Sequence, residues 1–316
     1  MYFPLLRAKK NELLALRELS TKLSNHGGII PIIEPVKDSD TSVGDLHRCF
    51  SRLEDINARS IFITNPQCGD FVRNRRGLKT LVNDIVEKYE SVDFGFWIDD
   101  GTDYQEIQNF IDSIDNSDFY LLHSNAYAKP EELQDFDQLS NFKGHILWSK
   151  GMGRRYISKI TEDKIILNDH FEKQDTNALY RNAQNEFFSD QYLTYEEDGY
   201  FGFGDFVTIG YDYVEGGFTP YTVAIHITYL NNESDGEIWI RHFLSTTAKV
   251  NPNTQEMILE ALEDFADFIS ENPHILNFSS GCEELLRIQN SGESTSLGNI
   301  KKLSIKHHLE LMMELV

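Results

Sequence analysis

Cysteine is scarce in this chain, and a long apolar run is missing altogether. The 3 cysteines, Cys49, Cys68 and Cys282, lie too far apart for a zinc site or a disulfide framework, which suits a reducing compartment. No apolar run reaches roughly 18 residues, and residues 1–10 contain no long apolar stretch. The sequence therefore predicts a cytoplasmic protein with no membrane partner and no secretory signal.

Basic residues are also few. Lys and Arg total 29 against 51 Asp and Glu, which gives a net charge of -22. A surface this acidic repels the phosphate backbone of nucleic acids, so the composition argues against non-specific binding of duplex nucleic acid. Acidic charge also promotes solubility, and on that ground the charge identifies no particular partner.

Short apolar runs that end at a polar residue dominate the first half of the chain. They are residues 3–6 before Arg7, 29–33 before Glu34, 61–64 before Asn65, 94–98 before Asp99, 119–122 before His123, 146–148 before Ser149 and 165–168 before Asp169. Each run is too short for a helix, and most are followed by a helix-like segment. This alternation predicts a parallel sheet, and at 316 residues we expect an irregular TIM-like (β/α) barrel.

The remaining segments complete the predicted architecture. Helical periodicity predicts helices at residues 11–23, 45–56, 78–89, 104–114, 254–269 and 300–315, a weak helix at 130–139, and a short extra strand at 156–160. Residues 199–210, 221–230 and 238–244 have the composition of β-segments. We expect one domain over residues 1–316, with a β-rich insertion or barrel-closing segment at 196–250 and helices at 251–316 packed on the barrel. Residues 203–209 or 223–229 should complete the sheet beside the first strand.

The polar strand ends predict one site at the carboxyl end of the barrel. In this fold the carboxyl ends of the strands converge on the face that holds active sites. Carboxylates and an imidazole suit acid–base chemistry, so Glu34, Asp99, His123 and Asp169 are the candidate catalytic groups. Arg7, Lys9 and Asn65 are candidate ligand-binding groups. The alternative is that these side chains simply mark where strands leave the core and meet water.

Cations in the loops add to this hypothesis. Arg75 lies shortly after the third predicted strand and Arg154 shortly after the sixth. Cations concentrated at one mouth of an acidic protein suit an anionic small molecule such as a phosphate, although loops are polar in any protein. Carboxylates and imidazoles would also suit a divalent metal, but no ligand pair has a diagnostic spacing. Metal and cofactor are therefore left undetermined.

Several segments resemble a known protein family. They are residues 2–12 (YFPLLRAKKNE), 15–17 (ALR), 30–35 (IPIIEP) and 65–66 (NP), together with 204–206 (GDF), 215–217 (EGG) and 303–310 (LSIKHHLE). These segments resemble the beta-protein family of phages and bacteria, and the later ones resemble one bacterial branch; Asn11 stands where the family usually has Gly. The resemblance implies a barrel-like fold and a phage-conflict setting beside a second protein. It marks Lys9, Glu12 and Glu34 as the most recognisable polar positions.

Two functions follow as hypotheses. The first is an enzyme, with hydrolase- or lyase-type chemistry, that acts on a phosphorylated or nucleotide-like small molecule, in the phage-defence setting that the resemblance implies. The second is a non-catalytic ligand-sensing or protein-binding component of a bacterial defence or toxin-type assembly. Clustered polar residues in an open mouth would favour the enzyme. A mouth filled by aromatic side chains or by residues 199–217 would favour the binding protein.

Overall fold

A computed structural model describes residues 1–161, 163–215, 220–231, 233–246, 253–272 and 279–316. The strands are β1 (Leu5–Arg7), β2 (Ile32–Glu34), β3 (Ser60–Ile63), β4 (Val92–Ile98), β5 (Phe119–His123), β6 (Phe142–Trp148), β7 (Lys164–Leu167), β8 (Asn185–Ser189), β9 (Gly202–Gly204), β10 (Ala224–Asn231) and β11 (Glu237–Leu244). The helices are α1 (Lys10–His26), α2 (Asp40–Glu54), α3 (Arg75–Lys88), α4 (Tyr104–Ser113), α5 (Gln134–Asp137), α6 (Arg154–Ile157), α7 (Gln191–Thr194), α8 (Thr254–Glu271), α9 (Ser280–Ser291) and α10 (Leu297–Leu315).

The chain divides into two compact units. The first comprises Met1–Asn168 and Leu193–Phe206, and the second comprises Asp169–Tyr192 and Val207–Val316. The single domain predicted over residues 1–316 stays a prediction.

The first unit is an eight-stranded parallel sheet in the order β1-β2-β3-β4-β5-β6-β7-β9. Helices alternate with the strands, as expected for βαβ connections. β9 pairs with β7, and Phe203 also bridges to Tyr2 next to β1. The amide N–H of Leu5 donates to the carbonyl of Asp205 at 2.8 Å across the same seam. The predicted TIM-like barrel is thus confirmed as a nearly closed barrel-like sheet.

The barrel is filled by one face of each strand. Successive strand residues point to opposite faces, so every second residue enters the interior. The interior cluster is Phe3, Leu5, Ile30, Ile32, Ile61, Ile63, Trp97, Tyr120, Leu122, Ile146, Trp148, Ile165, Leu167 and Phe206. The alternate side chains pack outward; for example, the ring of Phe96 on β4 stacks on Phe110 of α4 with 4.9 Å between the ring centroids.

The second unit has a three-stranded antiparallel sheet in the order β10-β11-β8. Apolar residues of β10, β11, α8, α9 and α10 share one core that includes Ile227, Phe243, Phe265, Leu285 and Leu303. The C-terminal helices thus share a core with this sheet, and their predicted packing on the barrel stays a prediction. The glycines at 216–217, part of the family resemblance, lie outside the described residues.

Local predictions failed at three short elements and at the 12-residue helix α9. The extra strand predicted at 156–160 is wrong, because Arg154–Ile157 forms the one-turn helix α6 and buries Tyr156. The weak helix at 130–139 is reduced to a 3-10 turn over Pro130–Leu133 followed by α5. Strand β8 and helix α9 were missed; β8 is an edge strand of mixed polarity.

Close backbone approach at the closing seam requires glycine. A Cβ atom on Gly204 would lie 2.1 Å from the carbonyl oxygen of Phe3. We therefore expect Gly204→Ala to lower the free energy of unfolding by about 3 kcal/mol, since this contact is backbone and cannot rotate away. Gly153→Ala is the matched control, because a Cβ there meets nothing within 4 Å. Equal urea midpoints for the two variants would contradict the tight seam.

Truncation tests whether the barrel needs its closing strand. A chain ending at residue 195 lacks β9 and Phe206, which leaves the edges of β1 and β7 unpaired. We expect this fragment to be insoluble or to melt without cooperativity by calorimetry, and a chain ending at residue 206 to be more soluble. Cooperative melting of the shorter fragment would show that the barrel folds without its closing strand.

Candidate functional site

Aromatic side chains fill the carboxyl end of the barrel interior. Trp97, Trp148 and Phe206 are all buried, and Phe206 is 1% exposed. The rings of Trp148 and Phe206 meet edge to face at 4.9 Å between centroids. The guanidinium of Arg7 lies over the Phe206 ring at 5.6 Å. The mouth is therefore packed with side chains at this level.

Arg7 and Glu34 form a buried ion pair next to these rings. They are opposite each other in the register of β1 and β2, two residues beyond the interior residues Leu5 and Ile32. Arg7 Nε lies 3.5 Å from Glu34 Oε2, and the residues are 5% and 2% exposed. Breaking such a pair leaves one buried charge uncompensated. The burial of both side chains is therefore typical of an ion pair that stabilises the fold.

The loop after β3 covers the Glu34 carboxylate. The backbone N–H of Gln67 donates to Glu34 Oε1 at 2.8 Å, and the Cys68 thiol donates to Oε2 at 3.7 Å. Gly69 has φ 84°, and a Cβ there would lie 2.2 Å from the carbonyl oxygen of Val36. This contact explains a glycine at the position that presses the loop onto the end of β2.

Burial dominates the electrostatics of this cluster. It raises the pKa of Glu34, and Arg7, the Gln67 N–H, Cys68 and Trp97 offset that rise only in part. Burial and then the charge of Glu34 raise the pKa of Cys68 to about 11, although Arg7 lowers it. Cys68 is therefore a thiol at neutral pH and a poor nucleophile.

Asn65 serves the sheet with its side chain. Its Nδ2 donates to the carbonyl of Trp97 at 2.8 Å, and its Oδ1 accepts from the Trp97 N–H at 2.7 Å. The amide group thus extends the β3–β4 pairing by one step beyond the strand. Both polar atoms of the Asn65 side chain, which was predicted to bind a ligand, are thus hydrogen-bonded to the backbone of Trp97.

Asp99 organises its own turn. Its Oδ1 accepts from the Gly101 N–H at 2.9 Å and from the Thr102 hydroxyl at 3.0 Å. The turn leads into α4, whose N-cap Asp103 forms a capping box with Glu106. Asp99 therefore has a structural role in addition to any role toward a ligand.

His123 lies on the opposite face of the sheet from Arg7 and Glu34. It follows the interior residue Leu122 by one position, so the period of two turns its ring outward. Its Nε2 is 2.8 Å from His145 Nδ1, and its Nδ1 is 2.8 Å from the Tyr156 hydroxyl. Burial and the neighbouring His145 lower the pKa of His123 well below its usual value. Its placement in the mouth site is thus corrected.

The other predicted residues lie on different elements of the two units. Asp169 belongs to the second unit, where its carboxylate accepts from the backbone N–H groups of Phe171 and Tyr211. Lys9 is the N-cap residue of α1 and is partly exposed, and Arg154 is exposed at the start of α6. The structure thus brings Arg7 and Glu34 together, and it turns His123 to the opposite face of the sheet.

A groove of about 560 Å³ opens between α3 and α4, beside the ends of β3 and β4. Three predicted site residues line it, namely Asn65, Arg75 and Asp99. Lys79 lies one helical turn after Arg75 on the same wall, and Phe96 contributes aromatic surface. Sequence analysis missed Lys79, whose i+4 spacing from Arg75 was the available signal, and also missed the covering residues Gln67 and Phe206.

Comparison with protein-family models, with curated proteins and with solved structures finds no match to this chain. The resemblance to the beta-protein family therefore stays a prediction. Among the described residues, no group of three or more His, Cys, Asp or Glu side chains is arranged to hold a metal ion. No helix in the described part of the chain is long and apolar enough to cross a membrane.

Glu34→Gln tests the buried pair. The substitution leaves Arg7 without its partner carboxylate, so we expect a loss of about 3 kcal/mol in the free energy of unfolding, measured by urea titration. It also removes a negative charge beside Cys68 while Arg7 remains, so the pKa of Cys68 should fall. We expect iodoacetamide to alkylate Cys68 at pH 8 about tenfold faster.

Asp100→Asn, at an exposed position, is the control for both measurements. Recording the alkylation rate against pH separates the two effects, because a lower pKa moves the midpoint whereas local unfolding raises the rate at every pH. An unchanged midpoint of the rate–pH curve in Glu34→Gln would contradict electrostatic coupling between Glu34 and Cys68.

Proposed function

We propose that the first unit is a binding barrel that holds a phosphorylated or nucleotide-like small molecule in the groove between α3 and α4, without transforming it. One observation carries this proposal. The groove is the place where three of the residues predicted to form the site, Asn65, Arg75 and Asp99, line one accessible space. The interior of the barrel mouth, by contrast, is packed with Phe206, Trp148 and the Arg7–Glu34 pair.

The two walls of the groove differ in chemistry. Arg75 and Lys79 on α3 are exposed, and neither forms an ion pair or side-chain hydrogen bond with another residue in the described part of the chain. Asp99 and Glu106 lie on the other side, and Phe96 stacks on Phe110 between the walls. Cations suit phosphate oxygens, carboxylates suit hydroxyl or amino groups, and an aromatic surface suits a flat ring. These three features together favour a nucleotide-like ligand.

The engagement of the acid–base groups by protein partners favours binding over catalysis. Glu34 is covered, His123 faces outward in a closed hydrogen-bond network, and Asp169 is bonded within the second unit. A general acid or base must reach the atom whose proton it moves. We further propose, from the family resemblance and the net charge of -22, that the barrel is a ligand-sensing component of a bacterial defence assembly with a partner protein.

Charge reversal on α3 tests the proposed groove. A trinitrophenyl derivative of ATP serves as the fluorescent probe and inorganic pyrophosphate as the competitor. We expect Arg75→Glu to weaken probe binding about tenfold at low salt, and the difference from the parent protein should shrink as salt rises, because the contact is exposed.

Arg76→Glu is the matched control, since the same charge change falls on the next residue of α3, which lines the separate groove toward α2. Equal weakening by both variants would indicate a general effect of charge and contradict the specific groove. Unchanged affinity in Arg75→Glu at low salt would also contradict it.

A further inference from the structure

A carboxylate and two histidines form a row across the sheet of the second unit. Glu186 lies on β8, His242 on β11 and His226 on β10, where His226 and His242 are opposite each other in the register. Glu186 Oε1 is 2.9 Å from His242 Nε2, and His242 Nδ1 is 2.6 Å from His226 Nδ1. His242 is 0% exposed, whereas His226 is partly exposed.

The row fixes which ring nitrogen carries each proton. An ionised carboxylate can only accept, so His242 Nε2 carries a proton and donates it to Glu186. The neutral ring of His242 then accepts at Nδ1, and His226 must donate from its own Nδ1. Nε2 of His226 therefore carries a lone pair, and this nitrogen has no hydrogen-bond partner among the residues that the structure describes.

The barrel holds a similar row that is closed at its far end. There Asp137 pairs with His145 at 3.0 Å, His145 with His123 at 2.8 Å, and His123 with the Tyr156 hydroxyl at 2.8 Å. The last imidazole acceptor of that row is occupied by a buried tyrosine. The row of the second unit ends instead at Nε2 of His226, which has no hydrogen-bond partner among the described residues.

We propose that His226 is a general base that activates water for attack on an ester, with His242 and Glu186 as positioning residues. In this row an imidazole that can act as a base is oriented by a second imidazole and a carboxylate. The function proposed for the barrel does not involve these three residues. Carboxylic and phosphoric esters share this chemistry, so the experiment separates them.

Proton movement along the row is balanced. Nε2 of His226 takes a proton from water while the water oxygen bonds to the carbonyl carbon or phosphorus. The Nδ1 proton of His226 passes to Nδ1 of His242, so the positive charge rests beside Glu186. The bond from the electrophilic atom to the alcohol oxygen breaks, the alcohol takes the proton back from Nε2, and the row returns to its first state.

The surroundings of the row agree with this direction of transfer. Burial, and then His242 and Lys301 of α10, lower the pKa of His226 well below its usual value. Burial also lowers the pKa of His242, but the hydrogen bond and charge of Glu186 oppose that effect. The rings of Tyr180 and Phe171 stand 4.8 Å and 4.9 Å from the His226 ring, so the base has aromatic walls.

Acylation by diethylpyrocarbonate measures the reactivity of Nε2 in the full-length protein. We expect mass spectrometry to place the first carbethoxyl group on His226. His47 is the matched control, since it is also paired with a carboxylate, Asp84 at 3.0 Å, but has no second histidine. Glu186→Gln should slow carbethoxylation of His226 about tenfold.

Hydrolysis of p-nitrophenyl acetate and of bis(p-nitrophenyl) phosphate tests catalysis and separates the two ester classes. We expect His226→Gln to lose at least about a hundredfold in rate on one probe, as general-base catalysis contributes on this scale. Glu186→Gln should retain the fold and move the acidic limb of the pH–rate profile to lower pH, a shift that a purely structural residue would not cause. His47→Gln should be unchanged.

Equal probe hydrolysis by the parent protein and by His226→Gln, including equality at the buffer background, overturns the proposal. So does carbethoxylation of His226 no faster than that of His47. Thermal unfolding of each variant is recorded, and because Glu186 is partly exposed, its variant keeps the test decisive if His226→Gln fails to fold.

Discussion

One buried carboxylate, Glu34, governs the carboxyl end of the barrel. A carboxylate with 2% exposure is stable only if its charge is compensated and its oxygens are hydrogen-bonded. Arg7 supplies the charge from the neighbouring strand, and the Gln67 N–H supplies a hydrogen bond. The hydrogen bond from Gln67 fixes the loop after β3, and the ion pair accompanies a guanidinium that lies over the Phe206 ring. The packing of the mouth therefore follows from the demands of a single side chain.

The sequence predicted the strands well because interior packing requires apolar runs of a fixed length. Apolar content could not predict β9, which is a three-residue strand with two glycines. A strand in this part of the chain could be expected only because the barrel needs a segment that closes it. Arg7 and Glu34 were predicted together because each ends its strand, and the two are opposite each other in the register of β1 and β2. His123 was misplaced because its run ends one residue out of phase, and phase within a strand decides which face a side chain occupies.

The two histidine rows show why a list of polar residues cannot identify a site. Both join a carboxylate to two imidazoles, and both lie across neighbouring strands. They differ in the last partner, which is the Tyr156 hydroxyl in one and no described residue in the other. This difference depends on contacts far apart in the chain, such as the 33 residues between His123 and Tyr156, and periodicity carries no information about them.

The cations of the barrel differ in whether other residues of the protein neutralise them. In a chain of net charge -22, a cation attracts an external anion only if the protein does not already neutralise it. Arg7 is paired with Glu34, and Glu12 also acts on its charge. Arg75 and Lys79 project from α3 into the groove. We therefore propose that an anionic ligand is attracted to the α3 wall of the groove rather than to the buried Arg7–Glu34 pair.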